Sequence, residues 1–324
     1  MIKLGLLLTN RYRLLSVAAI LDVFETVNSF YATEGLQQPF QISIICGRTT
    51  HAPAPDISFH GYPLYSLQEH LKQDLIMIPS FINEDIKTSL NANHAGIGWL
   101  QEQYSAGAEI ASFCTGAFLL GATGLLNGKI ATTHVDACKD FAMAFPEVKL
   151  QADKTVTQDG RLYTSGGATS SFHLMLHLLQ LYCNKEVAIK IAKLFSIDMD
   201  RHKQSYFSTF QISQNHDDNL VAMAQQKIET AYHNTGTIEE MIKDIPASRR
   251  NIVRRFKQVT GITPIEYLQH TRIAAAKKLL EQTTQQMSEV IYQSGYNDPK
   301  AFRKIFRKTV GMTPSEYREK FYVG

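Results

Sequence analysis

The chain contains little cysteine: four residues in 324, at Cys46, Cys114, Cys138 and Cys183. None forms a Cys-x-x-Cys pair or stands at metal-ligand spacing from histidine, which excludes a zinc module and a disulfide-stapled scaffold. Reduced thiols in a cytoplasm suit this usage, and no metal or cofactor is implied. Long apolar runs are missing too. The longest unbroken ones fall short of the ~18–20 residues that span a bilayer, so no membrane partner is expected. The opening Leu4-Gly5-Leu6-Leu7-Leu8 is short for a secretory leader, and Arg11 and Arg13 follow where a cleavage site would stand. A buried first strand is the expectation.

An overall excess of one charge is also absent, the net being +3. Beneath it lies an asymmetry. Residues 1–235 carry 17 Lys+Arg against 21 Asp+Glu, whereas residues 236–324 carry 16 against 9. A basic tail on a mildly acidic body fits contact with nucleic acid. The length suits two domains, expected at 1–183 and 220–324 with a connector over 184–219.

What the tail does contain is a repeat. Phe256-Lys257-Gln258-Val259-Thr260-Gly261-Ile262-Thr263-Pro264-Ile265-Glu266-Tyr267 recurs as Phe306-Arg307-Lys308-Thr309-Val310-Gly311-Met312-Thr313-Pro314-Ser315-Glu316-Tyr317, offset by 50 residues. Gly261 and Gly311 end one helix, and Thr263 and Thr313 cap the next. Pro264 and Pro314 sit in its first turn, where Glu266 and Glu316 complete a capping box. Upstream, Ser248 and Asp298 cap helices whose apolar residues (Ile252, Phe256 and Val259; Phe302, Ile305 and Phe306) face inward. Arg249, Arg250, Arg254, Arg255 and Lys257 cover the rest of the first of these helices. Lys300, Arg303, Lys304, Arg307 and Lys308 cover the second. Short helices over Ile238–Asp244 and Ser288–Gln293 precede them. Each pair has the plan of a helix-turn-helix, which lays its second helix in the major groove of duplex DNA. Pro264 to Glu281 reads as one connecting helix of ~27 Å at ~1.5 Å per residue.

Over about 90 residues this region resembles the AraC family of transcription regulators. Gly295-Tyr296-Asn297-Asp298, then Phe302, Phe306, Gly311, Pro314 and Tyr317-Arg318, carry the resemblance. It implies that Arg250, Val253 and Arg254 read bases in the first unit, and Lys300, Arg303 and Lys304 in the second. Arg249, Lys257 and Arg307 join the DNA contacts, the latter two as phosphate holders. One departure stands out: the first unit has Ile245-Pro246 where the second has its turn glycine, Gly295.

Residues 1–183 alternate strands and helices, as in a parallel α/β sheet. Strands are expected at Lys3–Leu8, Gln41–Cys46, Leu75–Ile78, Glu109–Phe113, Lys129–Ala131 and Leu162–Thr164. Helices are expected at Ser16–Phe30, Trp99–Ala106, Ala117–Thr123, Ala137–Phe145 and Ser170–Tyr182. In Ile110-Ala111-Ser112-Phe113-Cys114-Thr115-Gly116-Ala117-Phe118 a strand runs straight into a helix with Cys114 at the turn. That is nucleophile-elbow geometry, with a helix N-terminus able to lower a thiol pKa. His134 closes Ile130-Ala131-Thr132-Thr133-His134, which would bring both residues to the carboxyl edge of the sheet. A buried structural cysteine beside a hydrogen-bonded loop histidine fits the same spacing.

Cys114-Thr115-Gly116-Ala117-Phe118, Gly124-Leu125-Leu126-Asn127-Gly128-Lys129, Thr132-Thr133-His134 and Thr164-Ser165-Gly166-Gly167 resemble the PfpI-type superfamily. With the AraC-type tail the chain resembles the GlxA-like regulators, as does the stretch Arg201-x-x-Gln204-Ser205 followed by His216-x-Asp218. The resemblance implies a flavodoxin-like, class I glutamine amidotransferase-like parallel sheet, followed by an all-α tandem helix-turn-helix domain that dimerises through the α/β part. Enzymatic relatives such as isonitrile hydratases pair the elbow cysteine with an acid, whose position here is Ser16. Their Pro-Gly near the elbow reads Pro79-Ser80, and an aspartate on the last helix is replaced by His173. A pocket of Cys114 and His134, with Ser16, Ser80 and His173, is therefore expected to sense a small-molecule effector or a redox signal and control operator binding. A cysteine-dependent amidase or hydratase fused to a DNA-binding tail, and a pocket kept only for dimerisation, remain the alternatives.

Overall fold

The computed structural model describes residues 1–46, 58–69, 71–82, 86–167, 169–199, 216 and 218–322. By contacts the chain divides into two compact units, Met1–Gln204 and Ser205–Gly324. Arg201, Gln204 and Ser205 of the expected connector motif lie outside the described residues.

In chain order the first unit contains β1 (Ile2–Leu8), α1 (Leu14–Thr33), β2 (Phe40–Cys46), β3 (Ser58–Phe59), β4 (Tyr62–Ser66), β5 (Leu75–Ile78), α2 (Ile86–Ala92), α3 (Ala95–Ser105) and β6 (Glu109–Phe113). It continues with α4 (Gly116–Ala122), β7 (Ile130–Ala131), α5 (Cys138–Ala144), β8 (Lys149–Leu150), β9 (Val156–Asp159), β10 (Leu162–Ser165), α6 (Ser170–Tyr182) and α7 (Lys185–Leu194). One sheet runs in the order β3-β4-β2-β1-β5-β6-β10-β9. Strands β4 to β10 within it are parallel, and β3 and β9 add antiparallel edges.

Burial on both faces explains why the strands read as continuous apolar runs rather than alternations. Leu4 and Leu6 of β1 and Met77 of β5 pack with α1, α6 and α7 on one face. Leu7 of β1 and Ile76 and Ile78 of β5 pack with α3 and α4 on the other. Helix α1 is long and apolar enough to cross a membrane by length and composition, yet half of its apolar window is buried inside the unit. Val17, Ile20, Phe24 and Val27 are its core face.

Three features depart from the expected layout. Residues 130–131 form β7 as expected, but it pairs with β8 in a separate two-stranded sheet and not with the main one. The strands β3, β4 and β9 at the sheet edges were not read from the sequence, being short or only partly buried. Helix α7 falls within the expected connector, yet Val187, Ala188 and Ile191 bury it in the α/β core, with Asn184 Oδ1 capping it by accepting from Val187 N at 2.9 Å.

The second unit is all helical: α8 (Asn219–Ala231), α9 (Ile238–Ile242), α10 (Arg249–Thr260), α11 (Pro264–Gln282), α12 (Met287–Gln293), α13 (Pro299–Val310) and α14 (Pro314–Phe321). The repeat works as its residues dictate. Gly261 and Gly311 adopt φ of +80° and +92°, and their N–H groups return to Lys257 and Arg307 carbonyls at 2.9 Å each. Reciprocal capping boxes tie Thr263 to Glu266 and Thr313 to Glu316. The tyrosine closing each repeat donates to a glutamate of an upstream helix, Tyr267 to Glu229 and Tyr317 to Glu281.

Candidate DNA-reading helices and cysteine elbow

In α10, Ile252, Phe256 and Thr260 are buried and fix which face turns outward. That outward face carries Arg250, Val253, Arg254 and Lys257, spaced i, i+3, i+4, i+7. All but the partly buried Val253 are exposed. In α13, buried Phe302, Phe306 and Val310 likewise present Lys300, Arg303, Lys304 and Arg307, all exposed. Both helices are preceded by a short capped helix and a turn. Ser248 Oγ accepts from Asn251 N at 3.4 Å, and Asp298 Oδ1 accepts from Lys300 N at 2.8 Å.

The turns differ in chemistry and reach the same result. In the second unit Gly295 takes φ +85°. In the first, Ile245 is buried in the core and its N–H returns to the Ile242 carbonyl at 3.1 Å, so the glycine is dispensable there.

The cations are not equally free. Arg249 Nη2 lies 2.5 Å from Glu239 Oε1, and Arg254 Nη2 donates to Asn251 Oδ1 at 3.2 Å. Arg255 points aside, its Nε donating to Asp218 Oδ2 at 2.8 Å. Partial burial pushes the Asp218 carboxyl up, but hydrogen bonds from Arg255 and the Val221 and Leu220 amides outweigh it and hold the group below the usual range. Among the described residues, Lys300, Arg303, Lys304 and Arg307 enter no ion pair.

At the carboxyl edge of the main sheet, Cys114 follows β6 with φ +55°, a left-handed backbone that costs a non-glycine residue on the order of 1–3 kcal/mol. Its amide donates to the Ser165 carbonyl at 3.1 Å. Two residues on, Gly116 is obligatory: a Cβ there would stand 2.6 Å from the Ile78 carbonyl oxygen and 2.9 Å from that of Pro79. The neighbouring strand ends are stitched to the elbow. Ser80 N donates to Ser16 Oγ at 3.0 Å, Arg13 N to Ser80 O at 2.8 Å, and Thr115 Oγ1 to Phe81 O at 2.7 Å. Thr133 Oγ1 donates to Cys114 O at 3.0 Å, which anchors the segment bearing His134.

Burial opposes the lowering that the helix N-terminus could give the Cys114 thiol. Burial pushes Cys114 up to about 11, and the Thr115 amide and nearby Arg13 offset only part of that push. Burial thus favours the thiol over the thiolate. The His134 imidazole Nδ1 accepts from Asp136 N at 3.2 Å, and among the described residues no hydrogen bond joins the ring to Cys114. The structure thus brings Ser16, Ser80 and Cys114 together with the His134 segment. His173 is engaged elsewhere: its ring nitrogens face the carbonyls of Thr169 and Asp198 at 3.1 and 2.7 Å, and it lines a separate cavity of about 370 Å³ with Lys154, Gln158 and His177.

Comparison with known families decides the kinship. Residues 242–320 match a helix-turn-helix domain family of AraC type, and residues 65–181 match the DJ-1/PfpI family. The chain thus joins an AraC-type helix-turn-helix domain to a DJ-1/PfpI domain, the architecture of relatives named HTH-type transcriptional regulators. The HTH-type transcriptional regulator GbdR of Pseudomonas aeruginosa is 24% identical over 327 residues, covering 98% of this chain and 84% of the relative. The HTH-type transcriptional regulator GlxA of Rhizobium meliloti is 24% identical over 217 residues, 66% of each chain. A crystal structure from Vibrio parahaemolyticus shares the α/β fold, with a TM-score of 0.50 at 23% identity over 60% of this chain and 98% of its own.

Within this regulator, three residues that sequence reasoning missed hold the sites in shape. Thr115 and Thr133 clamp the elbow, and Arg272 joins the two helix-turn-helix units. The threonines had a readable signal, since polar β-branched residues just past a strand end commonly bond to backbone. Arg272 had none, since it follows the polar Gln269-His270-Thr271 at the edge of the apolar stretch Ile273-Ala274-Ala275-Ala276.

Proposed function

We propose that the chain is a sequence-specific DNA-binding transcription regulator in which α10 and α13 enter successive major grooves of operator DNA, under control of the pocket around Cys114. The observation that carries this reading is the pair of outward cationic faces, each set by the buried face of the same helix. Arg250, Val253 and Arg254, and Lys300, Arg303 and Lys304, are the base readers. Arg249, Lys257 and Arg307 hold phosphates. Arg249, already paired with Glu239, contributes least.

The signal at Cys114 is a small-molecule effector or a redox change, and burial of the thiol slows the second because oxidation needs thiolate. With serine at the position of the relatives' acid and, among the described residues, no base hydrogen-bonded to the thiol, turnover is disfavoured. A homodimer joined through the α/β units, working in the cytoplasm, fits the kinship with named regulators.

The test is selection of duplexes by the full chain from a random library, followed by binding at rising salt. Arg303→Ala should relax the preference at one position and cost ~1–3 kcal/mol. Equal weakening on random DNA would reduce these residues to phosphate holders. For the pocket, Cys114→Ala and His134→Ala should abolish effector response in a reporter strain; an unchanged response in both would end the sensor reading.

A further inference from the structure

The two helix-turn-helix units have separate apolar cores. Ile252, Phe256 and Leu268 belong to the first, Ile273, Phe302 and Phe306 to the second. Both draw on α11, and the boundary between them falls where Arg272 stands. Its Nε donates to the Tyr232 carbonyl at 2.9 Å, and its Nη2 to those of Asn234 at 2.6 Å and Gly236 at 3.4 Å. Those carbonyls end α8 and lead into α9, on the first unit's side. The same guanidinium lies 5.5 Å from the ring centroid of Tyr296, in the turn of the second unit. Beside it, a Cβ on Gly295 would stand 2.2 Å from the Tyr232 carbonyl oxygen and 2.8 Å from Arg272 Nε. The second unit's turn therefore rests directly on the first unit's backbone.

A single helix between two small cores sets their separation along its axis but leaves their tilt and rotation soft. A planar fork that bonds carbonyls of one unit and stacks on an aromatic ring of the other removes that freedom. We propose that Arg272 is a positioning residue that locks the two units into one rigid reader and so sets the spacing of operator sub-elements the chain accepts. Gly295 is the glycine that permits the contact. The inference rests on the DNA-reading function proposed above.

The experiment uses the full chain and the duplex it selects from a random library. The sub-elements are mapped by the positions where Arg250→Ala and Arg303→Ala relax preference. One or two base pairs are then inserted between them, each moving the far element by ~3.4 Å and about one-tenth of a turn. Wild type should lose roughly tenfold or more in affinity per inserted pair. Arg272→Ala should bind the parent duplex more weakly, yet lose less than about threefold on insertion, because its units reorient independently. Gly295→Ala should flatten the spacing response in the same way. A role in stability alone would lower the active fraction on every duplex and leave the ratio between spacings untouched. Arg272→Lys, which keeps the charge and loses the fork, carries the same comparison if the alanine variant does not fold. An unchanged spacing penalty in these variants overturns the inference alone. Absence of any sequence preference in wild type overturns the DNA-reading function and the inference with it.

Discussion

Replacing Phe302 by alanine removes the centre of the second helix-turn-helix core. The side chain is fully buried, with ring centroids of Tyr296 at 5.2 Å and Phe306 at 5.5 Å. Truncating such a phenylalanine costs ~3–5 kcal/mol, and a core serving so short a segment supplies about 3–5 kcal/mol in all. The loss therefore matches the whole stability of that unit. The first unit shares no core residue with it, its buried set ending at Leu268. Phe302→Ala should unfold α12, α13 and α14 while α8, α9 and α10 stay folded. Native-state hydrogen exchange read by peptide would show protection lost over residues 287–321 and retained over 219–260. On DNA the footprint should shrink to the sub-element read by α10. Equal loss of protection in both units would refute the claim of independent cores.

Three further outcomes follow from the same geometry. Cys114, raised from 9.0 to about 11, gains stability from its burial as a neutral thiol; that contribution is complete below about pH 9 and is lost as pH climbs towards 11. Iodoacetamide should accordingly label it far more slowly than a free thiol at pH 7.5, and labelling at the rate of an exposed cysteine peptide would contradict the burial argument. Gly116→Ala sets a methyl against two backbone carbonyls that cannot move aside, and should destabilise the α/β unit by roughly 1–3 kcal/mol or more, read as a lowered Tm. Arg307→Ala should reduce the salt dependence of DNA binding by about one unit of slope, whereas Arg249→Ala, already paired with Glu239, should change it less; fluorescence anisotropy across a salt series measures both.

Much of the DNA-binding unit was readable in the sequence because its signals are local. A glycine at positive φ, a threonine cap and a glutamate three residues on act within one or two turns, so Gly261, Thr263 and Glu266 announce their geometry without reference to the rest of the chain. The buried strands β1, β5 and β6 were readable for a similar reason, as uninterrupted apolar segments. What escaped depends on distant partners. Thr157 alone is buried in β9, so nothing in its short polar segment separates strand from loop. Strand β7 has the look of a main-sheet strand, and only its pairing with Lys149–Leu150 removes it. The elbow at Cys114 was recognisable by its chain geometry, but the state of its thiol was not. The thiol is raised by burial, and that burial arises only when strand ends far apart in the sequence converge on folding.

The two reading helices are unlike in sequence and fixed in order along one chain. α10 offers Arg250, Val253 and Arg254; α13 offers Lys300, Arg303 and Lys304. A palindrome presents the same bases from either end and would waste this difference. With base reading by α10 and α13 as proposed, the stretch of operator bound by one copy has a direction, with a left end and a right end that cannot be exchanged. Inverting it in place would reverse the order in which α10 and α13 lie along the DNA.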